Sequence, residues 1–273
     1  MTEILIFAAF LAFVLFLVAG RGKKYAAILG WTLVVVNLLM EVPDYLVQDN
    51  LLYPAIAVMS VPFLAITILR LLAEDQTILQ LSSAAAVATL IFVPFSFMPL
   101  FRDALISAVV GQAVWLLHAF GYPVQIEGWN IILLNGFATE IILTCTGITA
   151  IAILLGVAAG SRDLSIKQGI YAFLIVVPTI YFLNILRVVV VFIAWSDQWF
   201  SFLPDPTGTT EFGAGYASFF WGHNVFAELF SLVILIVIAL GLFRIIPQLA
   251  TFARDLIHLY TIEVRGLIRF AGL

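Results

Sequence analysis

Long apolar stretches dominate this sequence of 273 residues and leave few folds open to it. Seven stretches, bounded by charged residues or by proline and glycine, occupy residues 4–19, 26–40, 52–72, 78–101, 145–159, 170–195 and 219–243. A helix needs about 20 apolar residues to cross roughly 30 Å of hydrocarbon, and it satisfies its own backbone hydrogen bonds in lipid. The sequence therefore predicts an all-α polytopic membrane protein with about seven transmembrane helices.

The composition excludes several classes of protein. Hydrophobic residues make up 64% of the chain and charged residues 10%, and the mean hydropathy is +1.17, so a large soluble domain is excluded. No cluster of Lys and Arg interleaved with aromatic residues occurs, which argues against a nucleic-acid partner. Cys145 is the only cysteine, which excludes an intramolecular disulfide, an iron–sulfur cluster and a multi-cysteine zinc site. We expect neither a metal nor a cofactor.

The basic residues predict the orientation of the helices. Ten of the twelve Lys and Arg residues fall in the links 20–25, 70–77 and 160–169 and in the tail after residue 243, and such residues mark cytoplasmic links. We therefore expect a cell-membrane protein with its N-terminus outside and its C-terminus in the cytoplasm. The first stretch is not expected to be a signal peptide, because its basic cluster follows the apolar run. Segment 254–270 predicts an amphipathic helix on the cytoplasmic surface.

Two segments between the fourth and fifth stretches interrupt the pattern. Residues 103–120 are apolar and are interpreted as an interfacial helix, since a full crossing would upset the distribution of charge. Residues 121–143 are rich in β-branched residues and contain Glu-Gly-Trp-Asn and Asn-Gly turn signals, which favour a small outer hairpin or meander. The outer loop 196–218 contains prolines and glycines. We divide the chain into a four-span region 1–101, an extracellular insertion 102–144, a three-span core 145–246 and a cytoplasmic tail 247–273.

Few polar residues lie inside the predicted helices, and three of them predict a functional site. An ionisable residue within a membrane span costs a few kcal/mol and normally faces a partner or a cavity. Cys145 opens the fifth stretch, Arg187 lies about two turns from the outer end of the sixth, and His223 and Asn224 open the seventh. The predicted topology places Cys145, Arg187 and His223 at comparable depth near the outer surface, on three separate helices.

These residue types fit acyl transfer by a thiol. A cation or a helix N-terminus stabilises a thiolate, and the hydroxyls of Thr144 and Thr146 lie next to Cys145. His223 could exchange the proton, Arg187 could stabilise a tetrahedral oxyanion, and Asn184 lies one turn before Arg187. Each residue also has a structural interpretation, because a cysteine can be a small apolar packing residue and an arginine near a helix end can extend to the headgroups. A transporter or scaffold that binds an anionic ligand at Arg187 is the alternative function.

Two segments and one further position resemble the exosortase/archaeosortase family of membrane-embedded transpeptidases. The first segment is TCTGI at 144–148, the second is PTIYFLNILRVV at 178–189, and the third basic position of the family is taken by His223. The family's Cys, its Arg and its third Arg or His map onto Cys145, Arg187 and His223. Tyr181 and Asn224 complete the expected site. The resemblance is strongest over residues 120–243.

The resemblance implies an enzyme that processes surface proteins such as S-layer glycoproteins. The implied substrates carry a C-terminal signal with a short motif of the Pro-Gly-Phe type, a hydrophobic span and a basic cytoplasmic tail. The implied enzyme cuts near the motif through a thioester on Cys145 and joins the new C-terminus to a membrane lipid. A substrate of this kind would present its motif at the outer surface, which agrees with the predicted depth of the three residues.

Overall fold

The computed structural model describes residues 2–47, 52–205 and 215–270 of the chain. Parts of the outer loop 196–218 and the end of the tail fall outside these residues. The α-helices in chain order are α1 Thr2–Val18, α2 Lys23–Val47, α3 Leu52–Leu72, α4 Gln76–Phe97, α5 Pro99–Ala119, α6 Ile148–Ala159, α7 Ile166–Ser196, α8 Tyr216–Phe220, α9 Glu228–Ile245 and α10 Pro247–Phe270. A π-helical segment, Trp221–Ala227, joins α8 to α9. Three strands follow α5: β1 Gln125–Glu127, β2 Ile131–Leu134 and β3 Phe137–Glu140.

The helices confirm the predicted all-α membrane fold. Six described helical segments are long and apolar enough to cross a membrane: Lys23–Pro43, Pro54–Leu72, Gln76–Phe97, Pro99–Ala119, Ile166–Ser196 and Tyr216–Ile245. Two shorter apolar helices, Ile4–Val18 and Ile148–Ala159, coincide with the first and fifth predicted stretches. The segment expected at the interface forms α5, which begins four residues earlier than predicted because Pro99 is favoured in the first turn of a helix. Its interfacial placement and the orientation of the bundle stay predictions.

The first of two compact units comprises Met1–Val93, Ala152–Ala172 and Leu242–Leu273. Its core contains large side chains from α1 to α4, among them Phe13, Phe16, Leu71 and Ile78. Three of the predicted cytoplasmic links lie at one end of this unit. Lys24 Nζ forms a 2.8 Å ion pair with Glu74, Arg162 donates to the Gln76 side chain at 2.8 Å, and Gln168 Nε2 donates to the Ile245 carbonyl at 3.0 Å.

The predicted amphipathic tail is confirmed as a helix, α10, which begins at Pro247. One of its faces packs on α3. The hydroxyl groups of Tyr260 and Thr67 lie 2.6 Å apart, and Arg70 forms an ion pair with Glu263. Burial raises the pKa of the Tyr260 phenol. The position of α10 on the cytoplasmic membrane surface stays a prediction.

The second unit comprises Pro94–Ile151 and Phe173–Gly241. The predicted meander is confirmed, because its strands form an antiparallel sheet in the order β1-β2-β3. The β2–β3 turn is formed by Asn135 and Gly136, whose φ angles of +50° and +87° are those that an Asn-Gly hairpin turn needs. Ile132 and Leu134 are buried in a core shared with α5 and α7.

Three contacts fix the meander region to the end of α7. The Tyr122 hydroxyl donates to Asp197 at 2.6 Å, Asn135 Nδ2 donates to Ser196 Oγ at 2.6 Å, and the rings of Phe137 and Trp195 lie 4.8 Å apart. Because the phenol donates to the Asp197 carboxylate, the pKa of Tyr122 is raised. The end of α5, the meander and the end of α7 therefore lie at one side of this unit, which agrees with their assignment to the same side of the membrane.

Candidate active site

Cys145 lies in a short 3₁₀ turn, Leu143–Thr146, rather than at the first position of a helix. Gly147 follows in the left-handed region at φ +78°, and α6 begins at Ile148. The expectation that Cys145 itself starts the helix is therefore wrong, because the left-handed glycine separates the turn from α6. Thr146 is buried, and its hydroxyl donates to the Leu143 carbonyl at 2.7 Å and accepts from Ile148 N–H at 3.4 Å.

The turn that carries Cys145 is held against α7. Asn184 Nδ2 donates to the Cys145 carbonyl. A Cβ on Gly147 would lie 3.2 Å from Ile180 Cγ2 and 3.4 Å from Asn184 Cβ, so glycine allows the turn to approach this closely. The Cys145 side chain is half-buried and packs, like Tyr181, against the core of α5, the meander and α7. Thr144 is exposed.

Arg187 lies on α7 three residues after Asn184. Three residues turn a helix by about 300°, so the two side chains leave adjoining faces and lie one turn apart. Arg187 precedes Ser196, the last residue of α7, by nine residues or roughly 13 Å, close to the predicted two turns. The side chain is half-buried, and its guanidinium has no hydrogen bond or ion pair with any residue that the structure describes.

A cavity of about 340 Å³ opens beside Arg187, between α7 and the helix that continues from the π-helical segment into α9. Arg187 is the charged residue among its described lining residues, which are otherwise apolar: Leu183, Leu186, Val190, Val191, Ala194, Trp199, Phe200, Gly222, Phe226, Ala227 and Phe230. The segment after α7 is fixed to this helix, since Phe200 N–H donates to Ser218 Oγ at 3.1 Å and Trp221 Nε1 donates to the Pro204 carbonyl at 2.9 Å. Sequence reasoning did not predict this cavity.

His223 lies in the π-helical segment, a feature that is frequent at functional sites. Its Nδ1 donates to Asn224 Oδ1 at 2.7 Å, which leaves Nε2 as the acceptor nitrogen of the neutral ring. The Phe219 ring stacks on the imidazole with centroids 5.1 Å apart and planes 10° apart. The charged side chains that act electrostatically on His223 are Arg187 and Glu228.

Aromatic rings connect His223 to the meander. Phe219 contacts Trp195 with centroids 4.8 Å apart, and Trp195 contacts Phe137 at the same separation. Trp195 Nε1 is buried without a hydrogen-bond partner among the described residues. The hydropathy of the sequence gives no signal for these ring contacts.

The structure brings the candidate residues together to different degrees. Cys145 is held at the level of Asn184, whereas Gly222, next to His223, packs on Ala194, since a Cβ on Gly222 would lie 3.7 Å from Ala194 Cβ. These two α7 residues are about 15 Å apart along the helix axis. Arg187 lies between the two levels, and within the described residues no hydrogen bond joins the thiol to Arg187 or His223. His223 therefore lies nearer to the end of α7 than Cys145 does, and the two residues do not share the depth along α7 that the sequence predicts.

Comparison with known proteins identifies the family of the chain. The family model for transmembrane exosortases (Exosortase_EpsH) matches residues 2–227. The chain belongs to the transmembrane exosortase family. The match covers α1 to α7 and ends with the π-helical segment, so the relationship also includes the part of the chain before residue 120. At the level of the family, this membership supports a multi-pass membrane sorting transpeptidase.

Two curated relatives of this exosortase are archaeosortases. It is 26% identical to archaeosortase A of Haloferax volcanii over 93% of its own length and 90% of the relative. It is 30% identical to archaeosortase A of Natronomonas pharaonis over 70% of its own length and 66% of the relative. The resemblance recognised from the sequence is thus confirmed. No solved structure matches the chain.

Metal-ligating side chains do not cluster among the residues that the structure describes. No three His, Cys, Asp or Glu side chains in this part of the chain come together as a metal ion would require.

Proposed function

We propose that this exosortase is a cysteine transpeptidase of the cell membrane with Cys145 as its nucleophile and its active site at the outer surface. The observation that carries the proposal is the attachment of the Cys145 turn to α7 at Asn184, one helical turn before an arginine that has no partner among the described residues. An unpaired guanidinium near a thiol can stabilise both a thiolate and the oxyanion of an acyl-transfer intermediate.

The proposed reaction has two steps. The Cys145 thiol passes its proton through water to His223 as its sulfur attacks the scissile carbonyl, and Arg187 stabilises the oxyanion. The C–N bond then breaks to leave a thioester, and the departing amine takes the proton back from His223 by the same route. A lipid amine then attacks the thioester and gives up a proton to His223, the C–S bond breaks as the new amide forms, and His223 returns the proton to the Cys145 sulfur. Water resolves the thioester slowly when no acceptor is bound.

The proposed substrates are surface proteins, such as S-layer glycoproteins, with a C-terminal signal of a Pro-Gly-Phe-type motif, a hydrophobic span and a basic tail. Family membership and the two archaeosortase relatives support this substrate class. A hydrophobic span that crosses beside α7 would carry its preceding motif to the side of the meander, where the Cys145 turn is held.

Replacement of Cys145 tests the nucleophile. We expect Cys145→Ala and Cys145→Ser to abolish processing and lipid attachment of a tagged substrate in cells, because neither side chain forms a thioester. Protein amount and thermal unfolding should match the wild type, since alanine and serine fit the half-buried position. Normal processing of the tagged substrate by Cys145→Ala would contradict the proposal.

Replacement of His223 tests the proton carrier separately. We expect His223→Ala to slow processing and to remove the dependence of the rate on protonation of an imidazole. His223→Gln keeps a polar side chain of similar length and serves as the control for packing. If His223→Ala processed substrate at the wild-type rate while Cys145→Ala did not, the assignment of His223 would be wrong and that of Cys145 would stand.

A non-enzymatic transporter or scaffold is the second candidate. It is favoured by the same unpaired Arg187, because an arginine that faces an apolar cavity binds an anionic ligand whether or not chemistry follows. Labelling with a membrane-impermeant maleimide at mildly alkaline pH separates the two. An unreactive Cys145 in a protein that supports ligand flux would favour the alternative, and a reactive Cys145 that is required for processing would exclude it.

A further inference from the structure

We propose that the cavity beside Arg187 holds the hydrocarbon chain of the acceptor lipid, with the phosphate of that lipid at the Arg187 guanidinium. This inference rests on the proposed function, since it assigns the acceptor of that reaction to a place in the structure. The cavity lies between α7 and the helix that continues from the π-helical segment into α9.

The chemistry of the lining favours a hydrocarbon chain over a peptide. A peptide segment carries N–H and C=O groups, and each must find a partner when it is removed from water. The described lining offers one polar side chain, Arg187, in about 340 Å³. A hydrocarbon chain needs no hydrogen-bond partner and gains from contact with aliphatic and aromatic side chains. The cavity also has the volume of a small-ligand site.

Residues that line the cavity are also exposed on the outside of the helices, as entry of a lipid from the bilayer requires. Three lining residues are exposed as well: Val190 is 50%, Phe226 48% and Phe230 54% accessible. All three belong to helical segments that are long and apolar enough to cross a membrane, Ile166–Ser196 and Tyr216–Ile245. Their exposed faces would contact lipid tails, so a chain can pass from the bilayer into the cavity without entering water.

Arg187 supplies the complementary charge. A cation inside a membrane span is stabilised by an anion, and a phosphate fits the fork of donors on a guanidinium through two parallel hydrogen bonds. No described residue fills this role. The guanidinium has five N–H donors, so it can contact a phosphate in the cavity and still direct a donor towards the Cys145 turn. A lipid held in this way would place its head group beside the thioester.

Filling the cavity should separate lipid attachment from cleavage. Val190→Trp places an indole in the cavity, and displacing as few as two methylene groups of a chain weakens binding about tenfold. We expect the lipid-anchored form of a tagged substrate to fall about tenfold or more relative to the cleaved form released without lipid, while cleavage continues. The matched control is Val233→Trp on α9, which adds the same bulk at an exposed position outside the lining. It should behave as the wild type.

Two outcomes would overturn the inference. If Val190→Trp and Val233→Trp both kept the wild-type ratio of anchored to released product, the cavity would not hold the acceptor. If Val190→Trp stopped cleavage as well as lipid attachment in a folded protein, the occupant would be the substrate peptide. Loss of processing in Cys145→Ala, measured in parallel, keeps these outcomes distinct from a failure of the proposed function.

Photolabelling provides a readout that needs neither catalysis nor a folded Val190→Trp variant. Cys145→Ala protein is placed in phosphatidylcholine vesicles that contain a phospholipid with a diazirine in its chain, and the labelled segments are mapped after irradiation. We expect labelling concentrated at residues 183–194 and 222–230, and reduced there in Phe230→Trp but not in Val233→Trp. Uniform labelling of every apolar helix face would show lipid contact without a site and would overturn the inference.

Discussion

Gly147 joins the Cys145 turn to α6, and its replacement by alanine is expected to disable the site while leaving the bundle folded. The residue has φ +78°, and a Cβ there would lie 3.2 Å from Ile180 Cγ2 and 3.4 Å from Asn184 Cβ. An alanine must therefore adopt the left-handed region and also push the turn away from α7. The Asn184 hydrogen bond to the Cys145 carbonyl spans the same interface.

The magnitude follows from these two effects. The left-handed conformation costs an alanine about 1–2 kcal/mol, and loss of the Asn184 hydrogen bond would add about 1 kcal/mol. The unfolding free energy should thus fall by roughly 2–3 kcal/mol. Activity should fall as well, because the Cβ contacts displace the turn by a few tenths of an ångström, and a displacement of about 1 Å in a reacting group can cost on the order of 100-fold in rate.

Gly136→Ala provides the matched control. Gly136 also has a positive φ, +87°, but no atom lies within 4 Å of the position of its Cβ. The two variants carry similar backbone strain, and their difference isolates the contact with α7. We expect both to lower the thermal unfolding midpoint, and Gly147→Ala alone to slow substrate processing and to change the rate at which Cys145 reacts with maleimide.

A specific result would refute this reasoning. If Gly147→Ala processed substrate at the rate of Gly136→Ala, with an unchanged maleimide rate, then the close approach of the turn to α7 would not position Cys145. The proposal that Arg187 acts on Cys145 would lose its geometric support in that case, because the interface at Asn184 is what brings the two residues within a turn of each other.

Three other predictions concern neighbouring features. Asn184→Leu keeps the branched shape of the side chain but removes the donor to Cys145, so the unfolding free energy should fall by about 1 kcal/mol and processing should slow, as measured with the same tagged substrate. Gly156→Ala places a Cβ 2.6 Å from the Ala84 carbonyl oxygen and should destabilise the protein by about 1–3 kcal/mol, whereas Gly241→Ala in α9, with nothing within 4 Å, should not lower the unfolding midpoint. Tyr122→Phe removes the contact with Asp197. The pKa of Tyr122 is raised in the folded protein. The contact therefore stabilises the protein fully at a pH below the pKa of a tyrosine in the unfolded chain, about 10, and this stabilisation is lost as the pH rises through the pKa of Tyr122 in the folded protein. The difference in unfolding midpoint between Tyr122→Phe and the wild type should disappear at high pH.

The membrane fold could be predicted because hydropathy acts over long stretches. A run such as residues 170–195 has one stable form in hydrocarbon, and the structure extends it to Ile166–Ser196 because the polar ends of α7 are helical as well. The meander was predicted because Asn135-Gly136 is a strong local turn signal. Where packing decides the boundary, as at Cys145, hydropathy gives no information: the left-handed Gly147 lies within an apolar run that looks continuous in the sequence.

The environment of His223 could not be predicted for a related reason. A π-helical segment adds a residue to a turn of the helix, and the period of the apolar residues does not reveal it when nearly every position is apolar. The Phe200–Phe226 stack, at 4.8 Å, joins residues far apart in the sequence, because the chain that returns from α7 carries Phe200. The sequence could identify His223 as unusual but could not place its neighbours.

Arg187 differs from other cations of this exosortase in its surroundings. Lys24, Arg70 and Arg102 each have a carboxylate partner, and all lie in or beside a link between helices. A cation in a link that lacks a partner is solvated by water at little cost, whereas Arg187 lies about two and a half turns inside an apolar helix. A charge without a partner among the described residues reduces stability. A role for an anion that arrives from outside the chain, either a reaction oxyanion or a phosphate, explains why the charge is present at this position.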